Sequence, residues 1–281
     1  MAFDYNQVKH PDFFMENRME AHSDHRFYKR LDHVLERTED FRISLNGLWK
    51  FSYGRNYTST IQGFEKEEYD CKSWEDIQVP SNIQLEGYDK PQYSNCPYPW
   101  EGHEEVRPGE LPTEFNPVGS YVKYLMIPEE WKKQRVFISF QGVESGMAIW
   151  CNGQYVGYST DSFTPFEFEL TALLKEGENK LAVQVYKWTS GSWLEDQDFF
   201  RFSGIFREVY LYTIPETHIY DLDLRQTLSE DFQKARLSLN MKLIGKKQGS
   251  IKAVLSWNNQ KIQQEVVMLS EASEDGIISN L

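Results

Sequence analysis

Residues 147–159, MAIWCNGQYVGYS, decide the fold class. Asn152-Gly153 supplies the two residues that tolerate positive φ in a type I′ turn, and alternating runs flank it. That combination predicts a β-hairpin. Outward from it, the same period of two recurs. On the N-terminal side, SYVKYLMIP (120–128) alternates until Pro128, and RVFISFQGV (135–143) places Val136, Ile138 and Phe140 on one face. On the C-terminal side, PFEFELTALL (165–174) alternates at Phe166, Phe168 and Leu170, and GENKLAVQVYKW (177–188) at Leu181, Val183 and Val185. IFREVYLYTIP (205–215) closes the set. Short strands with turns every ~8–12 residues and few helical patterns predict an all-β sandwich or barrel.

The set begins at SLNGLWKFSYG (44–54), where an Asn-Gly turn precedes alternation at Leu48, Lys50, Phe51 and Tyr53. Between it and the next strand, from about Gln78 to Gly119, runs an irregular stretch holding most of the prolines. A loop of that length in a compact domain is usually functional or disordered, and Tyr93, Tyr98, Trp100 and Phe115 within it argue for order. Residues 1–44 are polar and charge-mixed. HRFYKRLDHVLERTEDF (25–41) reads either as a helix with Phe27, Leu31, Val34 and Leu35 near one face or as part of an extended arm. Pro215 is the best boundary. Beyond it, ARLSLNMKLIG, SIKAVLSWNN and KIQQEVVM are three more alternating strands, too few for the ~7 of an immunoglobulin-like sandwich. The expected organisation is an arm (1–44), a sandwich domain (45–214) and a second sandwich that is partial (215–281), with ISNL ending mid-pattern.

Charge and composition narrow the function. The net charge of -13 repels nucleic acid and anionic membrane surfaces, so neither is an expected partner. No run approaches ~18 consecutive apolar residues. Three scattered cysteines, with no Cys-x-x-Cys and no basic-then-apolar start, predict a reduced, cytoplasmic protein. Aromatic residues make up 15% of the chain, a load that suits broad half-buried sheet surfaces.

The familiar phosphate, dinucleotide, zinc-protease and serine-hydrolase motifs are absent. His22-Ser23-Asp24-His25 is the one metal-like cluster, and its bland reading is a capped, solvated segment. Glu67-Glu68 and Glu104-Glu105 read as surface. Trp100 and Trp193 are the better ring candidates for binding, because irregular segments on a rigid sandwich collect binding residues. The most informative segment is WTSGSWLEDQDFFRFSGIFREVYLY (188–212). There Glu195, Asp196 and Asp198 stand among aromatics, with Arg201 and Arg207 to balance them. On chemistry alone this is either a salt-bridged loop or a ligand or cation site.

Six ordered stretches resemble the N-terminal region of the large multidomain β-galactosidases of glycoside hydrolase family 2. They are ENRMEAHSDH, SLNGLWKFSY, VPSNIQLEGYDKPQYSN, FNPVGSYVKY, CNGQYVGYSTDSFTPFEFELT and SWLEDQDFFRFSGIFREVYL. Family 2 β-glucuronidases resemble LEDQD and FRFSGIFREVYL less closely. The resemblance implies a jelly-roll domain, then an immunoglobulin-like domain, then a barrel carrying two catalytic glutamates that act by retention. The family's acid/base glutamate follows an asparagine, and no Asn-Glu occurs here, so this chain is expected to be inactive alone.

The resemblance further implies that Asp198, in the Asp-Gln-Asp loop, binds sodium and galactose hydroxyls. A second loop, after the Tyr-Pro of YPWEGH, supplies an asparagine to the sugar in many members. Here that stretch holds none, and His103 stands at its offset, with Trp100 as the other candidate. No acid matches the family's magnesium ligand before Glu16-Asn17-Arg18, so magnesium would be held by residues outside this chain. The implied partners are a β-galactoside such as lactose, the enzyme's remaining domains and further copies of the full-length enzyme. The rival readings are a free-standing carbohydrate-binding module and a purely structural assembly domain.

Overall fold

The computed structural model describes residues 3–195, 197–246, 249–258, 260–268 and 277–280. The chain is nearly all β, with 42% strand and 9% helix. It divides into two compact units. One comprises residues 1–19 and 41–213, the other residues 20–40 and 214–281. The polar N-terminal stretch therefore contributes to both.

The first unit is a sandwich of two antiparallel sheets. Seven strands form the larger sheet, in the order Met15–Glu16, Gln154–Thr160, Gly146–Cys151, Glu178–Tyr186, Val118–Met126, Gly47–Gly54 and Glu75–Val79. The smaller sheet runs Phe166–Glu169, Val136–Phe140, Val209–Thr213, Arg42–Ser44. The hairpin at Asn152-Gly153 forms as its turn chemistry dictates, with φ of 50° and 79° and Gln154 paired to Cys151. Between the sheets lie Phe51, Tyr121, Ile149 and Val183 from the larger, and Ile138, Phe140, Phe166 and Phe168 from the smaller. In Gly47–Gly54 the inward face is Trp49 and Phe51, while Leu48 is exposed. Of the expected alternation, Phe51 and Tyr53 lie on the core side, whereas Leu48 faces outward and Trp49 takes the inward position.

The larger sheet is buried on its other face too. Val122, Ala148, Trp150, Tyr158 and Tyr186 form a second core, covered by Val8, Phe64, Cys71 and flanking aromatics such as Phe3 and Tyr5. Burial on both faces makes strands such as Leu181–Tyr186 buried at every position. Lys180 fastens part of this cover. Its buried ammonium donates to the carbonyls of Phe64 (2.6 Å), Lys66 (2.7 Å) and Tyr69 (2.6 Å).

The second unit contains a three-stranded sheet, His218–Leu228, Ala235–Ile244 and Ile277–Asn280, and the pair Ser250–Trp257 with Gln260–Met268. Its core centres on Met241, with Ile219, Leu222, Leu239 and Leu243 around it. Of the two readings left open for 25–41, the helical one holds only for Leu31–Glu36, which buries no residue and stops at Arg37 in the left-handed region. The rest of that segment is irregular, with bends and a turn. Ser23 ties it to the adjoining strand: its N–H donates to Asp221 (2.8 Å), and its hydroxyl accepts from the N–H of Leu222 (2.8 Å).

Candidate functional site

All the foreseen site residues fall on the first unit, on loops at one part of the sandwich. Phe199–Arg201 pairs antiparallel with Gln92–Ser94 to make a short ribbon, with Phe200 opposite Tyr93. Asp198 stands just before this ribbon with φ 59°. Aspartate tolerates that left-handed conformation better than most residues. Its side chain is exposed. The Tyr93 hydroxyl donates a short hydrogen bond to Asp198 Oδ1, and the Asp198 N–H donates to the Asn95 carbonyl (3.4 Å). The carboxylate acceptor raises the Tyr93 hydroxyl above its ordinary pKa, with burial and the Asp198 charge as further causes. Asp198 is thus held at two points while its second oxygen is not used by these bonds.

Arg201 points elsewhere. It is buried, and its Nη1 donates to the Glu195 carbonyl (3.2 Å). Arg207 donates to the Phe163 carbonyl (2.8 Å) and lies over the Phe163 and Phe206 rings. Asp198 itself is held by Tyr93 and the Asn95 carbonyl. Asp196 lies outside the described residues.

Trp100 and His103 lie together on a turn. The His103 N–H donates to the Trp100 carbonyl (3.0 Å). Trp100 is only 5% exposed. It stacks on Tyr98 at 5.4 Å and meets Trp193 edge-on at 4.9 Å and Trp188 at 5.9 Å. Trp193 is itself pinned, its Nε1 donating to the Glu110 carbonyl (2.8 Å). His103 is exposed.

Trp100 and His103 line a cavity of about 700 Å³, together with Tyr53, Tyr88, Gln92 and Phe115 among others. Asp198 is not part of that lining. Two arrangements therefore meet the ribbon: a presented carboxylate at its end, and an open cavity that Gln92 lines. Beside the cavity sits a buried ion pair, Lys187 Nζ to Asp89 Oδ2 at 2.6 Å. Burial pushes the Lys187 ammonium below its ordinary pKa, against the opposing pull of Asp89.

Four residues escaped the sequence reading. Tyr93 was seen only as one of several loop aromatics, yet it orients Asp198 across 105 positions of chain. Asn95 meets Asp198 directly, whereas an asparagine was sought only after Tyr98-Pro99. The Lys187–Asp89 pair left no local signal. Among the described residues, no group of three or more His, Cys, Asp or Glu is arranged to hold a metal ion. Both ring nitrogens of His25 lie at hydrogen-bonding distance from protein atoms, Nε2 from the Ile219 carbonyl (2.9 Å) and Nδ1 from the Ser23 hydroxyl (2.8 Å). Among the described residues, no helix is long and apolar enough to cross a membrane.

Comparison with known proteins adds identity to this geometry. The chain is 51% identical over 250 residues to a protein named β-galactosidase from Clostridium acetobutylicum, covering 88% of this chain and 28% of that one. It is 38% identical to the β-galactosidase large subunit of Lactobacillus helveticus, covering 98% of this chain and 47% of the relative. The chain therefore spans between about a quarter and a half of the length of these relatives. Among solved structures, an uncultured Clostridium sp. β-glucuronidase matches with a TM-score of 0.60 at 23% identity, over 86% of this chain and 39% of that one. That likeness bears on the fold alone. The model of the glycosyl hydrolases family 2 sugar binding domain matches residues 42–215. These residues are most of the two-sheet sandwich with its ribbon and cavity, and through them the chain belongs to glycosyl hydrolase family 2.

Proposed function

We propose that this chain is the N-terminal part of a cytoplasmic β-galactosidase that hydrolyses terminal β-D-galactosides such as lactose with retention. The carrying observation is the carboxylate of Asp198, exposed yet oriented by Tyr93, on a domain whose relatives at 51% identity bear that name. The same relatives favour a galactosidase over a glucuronidase. All three cysteines are free, which suits a reducing compartment.

In this reading the two carboxyl groups that break the glycosidic bond lie outside these residues. The chain contributes a wall. Asp198 accepts hydrogen bonds from galactose hydroxyls with the oxygen that Tyr93 leaves unused. Asn95, beside it, lines the same patch. Trp100 supports the wall by packing, and His103 is the exposed donor at its rim.

Sodium is a hard ion that prefers oxygen, and Asp198 with the Asn95 carbonyl nearby is a compatible but partial donor set. Asp198 would hold the ion together with ligands from the remaining domains, and the bound ion would add positive charge beside the sugar hydroxyls. In water a single carboxylate attracts a monovalent ion by only ~1 kcal/mol at ~4 Å. The isolated chain is accordingly a weak sodium binder. Magnesium belongs to residues elsewhere in the enzyme. The remaining domains and further copies of the full-length enzyme are the partners.

The test uses the full-length enzyme and this chain side by side. The chain alone should not hydrolyse a nitrophenyl galactoside above background. In the full-length enzyme, Asp198→Asn should reduce turnover and flatten its sodium dependence while leaving the melting temperature unchanged. A lowered melting temperature with an intact sodium response would instead make Asp198 a loop brace and defeat the assignment.

A further inference from the structure

We propose, resting on the reading of Asp198 as a ligand for sodium and galactose hydroxyls, that Arg201 is a positioning residue for that carboxylate. Its buried guanidinium holds the loop that carries Asp198 by the carbonyl of Glu195 and so keeps Asp198 presented.

The loop has little else to order it. Leu194, Glu195, Gln197 and Asp198 are all exposed. A segment that buries so little opens at low free energy unless hydrogen bonds tie it down. Asp198 also sits at a φ of 59°, a conformation that a loosened chain leaves for the commoner extended and helical regions.

Both ends of the loop are fixed. On the near side, Thr189 and Ser192 cap the turn Ser190–Trp193 reciprocally. The N–H of Glu195 donates to the Gly191 carbonyl (2.8 Å). The Glu195 side chain folds back over Gly191, where an added Cβ would stand 2.9 Å from its Oε1. On the far side, the N–H of Ser203 donates to Gln84 Oε1 (3.0 Å), and the Ser203 carbonyl accepts from the N–H of Ile83 (2.9 Å). Arg201 belongs to this far side, paired with Gln92 in the ribbon.

Arg201 joins the fixed strand to the exposed loop. In Phe199–Arg201 both phenylalanines are exposed, whereas Arg201 is 4% exposed. From there Nη1 donates to the Glu195 carbonyl (3.2 Å), six positions back along the chain. Burying a guanidinium carries a desolvation cost, and an apolar side chain would fill the same place without it. What the guanidinium adds is reach and a rigid, permanently charged donor that holds a backbone carbonyl in a set direction.

The consequence is a linkage. If the presenting geometry is populated in only a fraction of molecules, the apparent affinity of every ligand that needs it falls by that fraction, and excess ligand restores it. Loss of the Arg201 bond should therefore weaken sodium and galactoside together and leave the saturated enzyme intact.

The test is made in the full-length enzyme with Arg201→Met, which removes the donors and keeps an unbranched side chain. It should need about tenfold more sodium for half-maximal turnover, the factor that one hydrogen bond from a charged donor supplies. KM for a nitrophenyl galactoside should rise by a similar factor, while kcat at saturating sodium and substrate stays within about twofold of the parent. Arg201→Lys keeps the charge and one donor and should shift the sodium midpoint by only about threefold. It carries the test if Arg201→Met does not fold. In this chain by itself, hydrogen exchange at the Glu195 and Asp198 amides should quicken in Arg201→Met, with exchange in Glu178–Tyr186 unchanged. A lowered melting temperature with an unmoved sodium midpoint makes Arg201 part of the scaffold and overturns the proposal. So does a loss of kcat that saturating sodium does not restore. Asp198→Asn, measured in parallel, separates the two readings. If it flattens the sodium response while the Arg201 variants leave the midpoint unmoved, only the role of Arg201 falls. If it leaves the sodium response intact, the role of Asp198 falls and that of Arg201 with it.

Discussion

The covered face of the seven-stranded sheet and the Asp198 ribbon belong to one unit, yet they are built on opposite terms. On the covered face, residues such as Tyr158 and Tyr186 are fully buried, and even a lysine ammonium is satisfied by three backbone carbonyls. On the ribbon, Tyr93 is 57% exposed and Phe200 53%, and pairing is limited to three residues a side. The first region gains its stability from burial, at roughly 25 cal/mol per Å² of apolar surface. The second spends little on stability and presents its side chains outward. Rigid sheet and presented loop are separated, so chemistry at the ribbon can vary without disturbing the fold.

The sharpest way to break this contrast is at Lys180. Replacing it by Met leaves three buried or half-buried carbonyls without their donor. Unsatisfied groups of this kind cost ~1–3 kcal/mol each, and water can partly replace the ammonium at the outer ones. Lys180→Met should destabilise the chain by about 3–5 kcal/mol in denaturant titration. Lys175→Met is the control. Lys175 pairs with Glu67 on the same covering segment, but at the surface, where an ion pair is worth only ~0–1 kcal/mol. Equal losses in the two variants would mean that the buried ammonium is not the fastening.

The same contrast explains what the amino-acid order disclosed. The Asn152-Gly153 hairpin was legible because its turn depends on two adjacent residues. The strands after it were legible because period-two alternation is local. The second core was not. Its cover comes from the segments around Val8, Phe64 and Cys71, which carry no period, so the full burial of Leu181–Tyr186 has no signature beyond an apolar run. Leu48 misled because apolarity alone does not tell which face a glycine-led strand turns inward. Asp198 was singled out through its motif, whereas its hydrogen-bond partner Tyr93 lies 105 positions away in the chain. Trp100 drew notice as a loop aromatic, and the three-ring packing that holds it arises only when residues 98, 188 and 193 meet.

A gentler probe acts on the ribbon itself. Tyr93→Phe removes one hydroxyl and keeps the ring against Phe200 (5.4 Å). If Tyr93 positions Asp198, the full-length enzyme carrying this change should need several-fold more sodium for half-maximal turnover, with KM for the galactoside rising in step. That is the scale of a single exposed hydrogen bond to a charged acceptor. The melting temperature should hold within about 1 °C. A changed melting temperature with an unaltered sodium midpoint would make Tyr93 part of the scaffold and blur the line between the two regions.

The smallest expected effect lies where the loops beside the cavity are tied together. Glu104 accepts from the Thr113 N–H (2.7 Å), the Thr113 hydroxyl (3.0 Å) and the Glu114 N–H (3.1 Å). Burial by itself would raise its carboxyl, but these donors outweigh it and hold the pKa below the ordinary 4.5. A carboxyl depressed in the folded state adds stability that is present above the unfolded value and lost as pH falls through the folded one. Glu104→Gln should therefore lower stability by about 0.5 kcal/mol at pH 7, a figure discounted for solvent screening. The gap between variant and parent should close as pH falls below about 4.5. Parallel denaturant titrations at pH 7 and near pH 3 measure it. A gap that persists undiminished at low pH would mean that the side chain's shape, not its charge, joins these loops, and the ribbon region would then resemble the covered sheet more than the contrast allows.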